Sequence, residues 1–112
     1  MRYKIIIEYD GTPFVGWQRQ DNGLSVQECI ETAIESLFQE KPTLFGAGRT
    51  DSGVHATGQV AHFDITTKEL DTYSIKTGLN HYLKVYPISI LDVTEVDVEF
   101  HSRFDATERK YL

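Results

Sequence analysis

Hydrophobic and polar positions divide the chain into segments with two different periods. Four segments rich in β-branched and aromatic residues are predicted strands: 2–10, 43–47, 57–65 and 87–95. In the third of them apolar and polar side chains alternate, so Ala61, Phe63 and Ile65 share one face. His62 points to the other face, where we interpret it as a hydrogen-bonded strand histidine.

Two further segments carry apolar residues at helical spacing. The first begins after Ser25, a suitable N-cap, and Glu28 three residues later completes a capping box. Lys41-Pro42 is predicted to end this helix. Its apolar stripe is Val26, Ile30, Ala33, Ile34, Leu37 and Phe38. The residues predicted to face solvent on its other side are Glu28, Glu31 and Glu35. The second helix begins after Asp71 or Thr72, and its predicted apolar side is Ile75, Leu79, Tyr82 and Leu83.

The order of these elements, β-α-β-β-α-β, is the split βαβ or ferredoxin-like arrangement of an α+β protein. We expect an antiparallel sheet with both helices on one face, so the other face requires a cover of RNA or protein. Residues 97–100 predict a turn, and 106–112 the start of an additional strand. Because the sequence stops within this last segment, we interpret 1–112 as a single ferredoxin-like subdomain and as an N-terminal portion of a longer protein.

Composition narrows the class of protein. The 112 residues, 40% hydrophobic and 25% charged, are typical of one globular domain with one core. No window approaches the ~18 apolar residues of a membrane span, so no membrane partner is expected. The single cysteine, Cys29, cannot form an internal disulfide, which favours a cytoplasmic location. A net charge of −6 argues against a uniformly basic nucleic-acid binder but not against a local basic surface.

The segment with the most suggestive chemistry is the glycine-rich stretch, residues 45–59, FGAGRTDSGVHATGQ, between the second and third predicted strands. Asp51 is the candidate catalytic residue, because a carboxylate can attack an electrophilic carbon. Arg49 would keep that carboxylate ionised or bind phosphate. The local sequence leaves two alternatives open: Asp51 in a simple turn, and Arg49 in a structural ion pair. The four histidines lie at no metal-ligand spacing, so no metal site is predicted.

Aromatic and basic residues elsewhere are candidates for RNA contacts. Phe14 and Trp17 have rings that can stack on bases, and the neighbouring Gln18 and Arg19 can hold a nucleic-acid backbone. The alternative for the two rings is to pack their loop onto the domain. A basic cluster near the end comprises Arg103, Arg109 and Lys110, with a solvated face as its alternative. Tyr111 is either a floor for a flipped base or a core strand residue.

Several motifs together resemble the tRNA pseudouridine synthases that act on the anticodon stem-loop, at tRNA positions 38–40. In chain order they are EYDGTPFVGWQRQ, SVQECIETAI, GAGRTDSGVHATGQVAHF, GLNHYL and FHSRFDATERKY, and they span nearly the whole chain. The family's LNxxLP pattern is altered here, since Lys84 follows Leu83 and the proline is displaced to Pro87.

This resemblance implies a reaction and a role for each matching residue. The family isomerises uridine to pseudouridine by breaking the C1′–N1 bond, turning the uracil and rejoining it through C5, without metal or organic cofactor. Asp51 matches its catalytic aspartate, Arg49 its RNA-contacting active-site arginine, and Tyr111 the tyrosine that packs on the target base. The target base must leave its stack before an aspartate can reach it.

The resemblance also implies partners. They are a tRNA substrate, a second copy in a homodimer of the full-length enzyme, and a second ferredoxin-like half that completes the cleft. The resemblance thus implies that the C-terminal half of the enzyme is absent, and residues 1–112 alone are then expected to be inactive. The competing hypothesis is a non-catalytic RNA-binding module of RRM-like topology. Residues 57–63 lack the K/R-G-F/Y-G/A-F-V-x-F/Y pattern of such modules.

Overall fold

The computed structural model describes residues 1–11, 13–14, 16–17, 23–47 and 56–101. They form a four-stranded antiparallel sheet in the order β2-β3-β1-β4 with two helices. The elements are β1 (Arg2–Tyr9), α1 (Val26–Phe38), β2 (Phe45–Gly46), β3 (Ala56–Asp64), α2 (Thr72–Leu83) and β4 (Ile88–Val96). The predicted ferredoxin-like α+β arrangement is confirmed, whereas the additional strand over 106–112 lies outside the described residues.

The core lies between the two helices and one face of the sheet. Every second residue of β1 is buried, from Tyr3 to Tyr9, as a strand with one covered face requires. Ala61, Phe63 and Ile65 are buried as their alternation predicted. The ring of Phe63 lies 5.7 Å from that of Tyr3 and 6.3 Å from that of Phe38, which joins β1, β3 and α1.

Helix α1 begins as predicted and ends earlier. The Ser25 hydroxyl accepts a hydrogen bond from the Glu28 amide at 3.1 Å, which confirms the N-cap. The helix stops at Phe38 rather than at Lys41-Pro42, because Gln39 takes a left-handed conformation with φ 57°. Its amide donates to the Glu35 carbonyl at 2.8 Å and closes the last turn. The expectation that Glu31 faces water is wrong, since its side chain is buried.

Helix α2 is capped by Asp71, whose carboxylate accepts a hydrogen bond from the Ser74 amide at 3.1 Å. Three residues spaced by four positions are buried, Ile75, Leu79 and Leu83. The sequence pattern predicts Tyr82 on the same side, but 43% of it is exposed because it flanks that row. Within the described part of the chain, neither helix combines the length and apolar character that crossing a membrane requires.

Two residues of α2 explain how the helices and the sheet come close. A Cβ on Gly78 would lie 2.7 Å from Cδ1 of Leu37, so glycine lets α2 approach α1. The Asn80 side chain forms two hydrogen bonds with Ile90 of β4, accepting from its amide at 2.7 Å and donating to its carbonyl at 3.0 Å. The register of β4 against β1 shifts between Ile6 and Ile7, next to this contact. Asn80 thereby fixes α2 to β4 where the ladder is irregular.

The sheet face opposite the helices, the open face, is partly covered by the chain itself. Residues 97–101, the 97–101 segment, turn back after β4, and the Phe100 amide donates to the Asp97 carbonyl at 2.9 Å. The Arg2 guanidinium donates to the carbonyls of Val98 and Phe100. The expectation of a bare face is corrected to this extent, because Phe100 is 8% exposed and packs beside His62.

Acid is expected to weaken the fold through carboxylates that are hydrogen-bonded only in the folded state. A hydrogen bond from Arg2 holds the pKa of Asp64 below its ordinary value of 3.8. Because this pKa is lowered, the stabilisation is present above the unfolded pKa and is lost as pH falls through the folded pKa. Since 48% of the Asp64 side chain is exposed, Asp64→Asn should cost only about 0.2–1 kcal/mol at pH ~7.

Denaturant unfolding of the wild type and of Asp64→Asn at pH ~7 and pH ~3 measures this contribution. The difference in unfolding free energy between the two proteins should shrink at the lower pH. An unchanged difference would show that the carboxylate charge is irrelevant there. Glu40 should also stabilise the fold less as the pH falls, because hydrogen bonds from Thr66 and Thr67 hold its pKa below the ordinary value of 4.5.

Candidate active site

The glycine-rich stretch is held by the sheet on both sides of the candidate catalytic residue. In β2, Phe45 pairs with His62 and Gly46 pairs with Ala61. The Ala47 amide continues this ladder by donating to the Val60 carbonyl at 2.7 Å. β3 begins at Ala56, which pairs with Tyr9 at the end of β1. Residues 48–55, with Arg49 and Asp51, lie outside the described residues. Ala47 and Ala56, which flank them, are hydrogen-bonded or paired in the sheet.

Trp17 packs beneath the start of this stretch. It is only 3% exposed, and its ring lies 6.2 Å from that of Tyr9. A Cβ on Gly46 would lie 2.7 Å from Cε2 of the indole, so the ring rests directly on the β2 backbone. Such burial leaves no ring face for a base and favours the packing alternative over the RNA-stacking role. Phe14 is buried in the same way, at 2% exposure.

Two polar side chains of α1 bind the residue that precedes β2. The Glu31 carboxylate accepts the Leu44 amide at 2.8 Å, and the Gln27 side-chain amide donates to the Leu44 carbonyl at 3.1 Å. The Gln27 amide group also donates to Glu31, at 3.2 Å. Through its backbone amide, Gln27 donates to the Trp17 carbonyl at 2.9 Å. The first turns of α1 therefore connect the Trp17 loop with the start of the glycine-rich stretch.

Sequence reasoning did not find this network. The charge of Glu31 predicts a solvent-facing position on α1, and the sequence pattern indicates no role for Gln27. The signal that could have found them is their spacing, since residues four apart meet on one helix face. Gln27 and Glu31 are one such pair, beside the apolar stripe that the helix buries.

A cluster of rings lies on the open face next to β2. His62 is 1% exposed, and its ring stacks on that of Phe45 at 5.1 Å with 18° between the planes. The His101 ring lies 4.9 Å from that of His62. Lys4 places its ammonium 5.9 Å from the centre of the Phe100 ring. Because 44% of Phe45 is exposed, this cluster offers an accessible ring beside the start of the glycine-rich stretch.

The remaining predicted site residues lie outside the described residues: Gln18, Arg19, Arg49, Asp51, Arg103, Arg109 and Tyr111. Their roles stay predictions. Two of these residues lie close in sequence to described ones: Gln18 directly follows Trp17, and Arg103 comes two residues after the end of the 97–101 segment. Among the described residues, no group of three or more His, Cys, Asp or Glu side chains could hold a metal ion.

Comparison with known proteins identifies the family. The sequence model of a family described as tRNA pseudouridine synthase matches residues 5–105. The chain belongs to this family. The matched range contains β1 from residue 5 onward, the other three described strands, both helices and the whole glycine-rich stretch. Arg109 and Tyr111 lie beyond it.

Curated relatives in the tRNA pseudouridine synthase family cover the chain more completely. A protein from Anaplasma marginale (strain Florida) is 55% identical over 114 residues, which cover 100% of this chain and 46% of the relative. One from Anaplasma phagocytophilum (strain HZ) is 54% identical over 99% of this chain and 46% of the relative. One from Maricaulis maris (strain MCS10) is 52% identical over 99% of this chain and 44% of the relative. Each is named tRNA pseudouridine synthase A. The chain thus spans about half the length of the curated relatives it matches.

Proposed function

We propose that the complete protein containing residues 1–112 converts uridine to pseudouridine in the anticodon stem-loop of tRNA, with Asp51 as nucleophile. The match of the family to residues 5–105, which include Asp51, carries the proposal. The relatives named tRNA pseudouridine synthase A support tRNA as the substrate. Because they are about twice as long as this chain, the proposal concerns the complete protein.

The described geometry suits a catalytic group on the glycine-rich stretch. Catalytic residues are often carried by connecting segments that a rigid scaffold positions. Here the start of the stretch pairs with β3, and its end forms the first part of β3. Trp17 packs under Gly46 at the start. The neighbouring open face carries the accessible ring of Phe45, which suits contact with an unstacked base.

The proposed chemistry gives each predicted residue one task. The Asp51 carboxylate attacks the flipped nucleotide, and the C1′–N1 bond breaks. Arg49 favours the ionised carboxylate and binds phosphate. The detached uracil rests on the Tyr111 ring, turns, and forms a new bond from C5 to C1′, while the bond to Asp51 breaks and restores the carboxylate. N1 takes up a proton. The C5 proton is released to solvent, so no oxidant or reductant is consumed.

Release of that proton provides the test. Incubation of the complete protein with tRNA labelled with tritium at uracil C5 should release tritium into water. A matched tRNA with cytidine at positions 38–40 should release none. Release that persists from this second tRNA would exclude the proposed positions. Binding of tRNA without any release would favour the non-catalytic RNA-binding module.

The same preparation tests the proposed homodimer. Sedimentation equilibrium of the complete protein should give twice the mass of one chain. A mass equal to that of one chain would exclude the dimer while leaving the proposed reaction in place.

A further inference from the structure

The β2 strand is too short to fix its own position. It contains two residues, Phe45 and Gly46, and even with the Ala47 hydrogen bond to Val60 so short a ladder constrains a strand weakly. Yet its register against β3 sets where the chain departs toward Asp51. Something besides the ladder must hold the backbone before β2 in place.

The buried pair on α1 provides that hold. Glu31 is 3% exposed, and its carboxylate accepts the Leu44 amide at 2.8 Å. Gln27 donates to the carbonyl of the same residue at 3.1 Å. Both backbone groups of Leu44 are therefore bound by one helix, immediately before β2. Ser25 caps that helix, and its apolar stripe anchors it in the core, so the hold is rigid.

The same helix also fixes the Trp17 loop. The Gln27 backbone amide donates to the Trp17 carbonyl at 2.9 Å, and the Val26 amide donates to the Gly16 carbonyl at 3.2 Å. The Trp17 ring in turn rests against Gly46. A displacement of Leu44 would thus disturb both the Trp17 loop and the β2 backbone against which the indole rests.

We propose that Glu31 and Gln27 are positioning residues for pseudouridine formation, acting on Asp51 through Leu44 and β2. This inference rests on the proposed function. Asp51 is seven residues beyond Leu44, so a shift at Leu44 displaces the start of the stretch that carries the nucleophile. Small misplacements of a reacting group lower the rate of the chemical step strongly. Binding of tRNA, which is distributed over many contacts, depends less on one such shift.

The test compares two substitutions of Glu31 in the complete protein. Glu31→Leu removes the acceptor for the Leu44 amide and should lower kcat about 10- to 100-fold, with KM for tRNA within about 3-fold. Glu31→Gln keeps an oxygen that can accept from both Leu44 and Gln27, so kcat should stay within about 3-fold of the wild type. Tritium release, measured well below each thermal midpoint, gives both constants.

Two matched controls separate positioning from a general loss of folding. Glu35→Leu makes the same change on the exposed side of α1 and should leave kcat unchanged. Ile75→Val weakens the core at the first turn of α2, which follows the opposite end of β3, and should lower the thermal midpoint without lowering kcat.

The outcomes are distinct. A Glu31→Leu enzyme with wild-type kcat overturns the positioning role alone. A kcat that falls equally in Ile75→Val, at a comparable loss of thermal midpoint, also overturns it, because the effect is then one of stability. An inactive wild type overturns the proposed function and the positioning role with it. A fall of kcat confined to Glu31→Leu and reversed in Glu31→Gln supports the inference.

Discussion

Asp51→Asn should reduce pseudouridine formation by the complete protein at least about 1,000-fold and leave tRNA binding nearly unchanged. Asparagine has almost the size of aspartate, but its amide is a poor nucleophile and cannot form the ester of a covalent intermediate. The change should therefore remove the chemical step and preserve the surface that meets RNA. Single-turnover tritium release measures the first quantity, and filter binding of labelled tRNA measures the second.

The matched control is Asp71→Asn on α2. Asp71 caps that helix by accepting the Ser74 amide, and asparagine caps helices about as well. This variant loses one negative charge, as Asp51→Asn does, so it accounts for any effect of net charge on tRNA binding. Near-normal turnover by Asp51→Asn would end the assignment of Asp51 as nucleophile. Loss of tRNA binding would instead make it a binding residue.

Trp17→Ala should be the most destabilising single substitution in the loop before α1, with a loss of about 3–5 kcal/mol in the free energy of unfolding. The indole is 3% exposed, lies against the Tyr9 ring, and supports the backbone at Gly46. Its removal leaves a large cavity under β2. Because total stabilities are commonly about 5–15 kcal/mol, this loss is a large fraction of what holds the fold together.

Urea unfolding of the complete protein followed by circular dichroism measures the change, because Trp17, the single tryptophan of residues 1–112, is lost as a fluorescent probe in this variant. Trp17→Phe keeps a ring against Gly46 and should recover part of the loss. If the ring instead served RNA, Trp17→Ala would weaken tRNA binding and leave the unfolding midpoint of the free protein unchanged. That result would contradict the packing role.

The elements of the fold were predictable where burial follows a simple period. Alternation in β1 and a spacing of four in α2 depend on neighbours close in sequence. The exceptions depend on contacts between distant segments. Glu31 looked like a surface residue until the Leu44 backbone was placed against it, 13 residues further along the chain.

The candidate site likewise has features that the sequence predicts and features that only the structure shows. The sequence predicted the place of Asp51 between two strands, and the motifs predicted the family of the chain, whereas the role of Asp51 stays a prediction. The use of Trp17 was not predictable, since stacking on a base and packing on a domain demand the same ring. The burial of Trp17 and the glycine at position 46, which leaves room for the indole, favour packing.

The central place of β1 also has a consequence for synthesis on the ribosome. It is the first of the four described strands to emerge, yet its partners are β3 and β4, and Arg2 pairs with Asp64 and Val96. At typical translation rates, roughly 3–12 s separate the appearance of Arg2 from that of its first partner, Asp64. During this interval the run of three isoleucines in β1 has no sheet to join, which makes the nascent chain a natural client for chaperones that shield apolar segments.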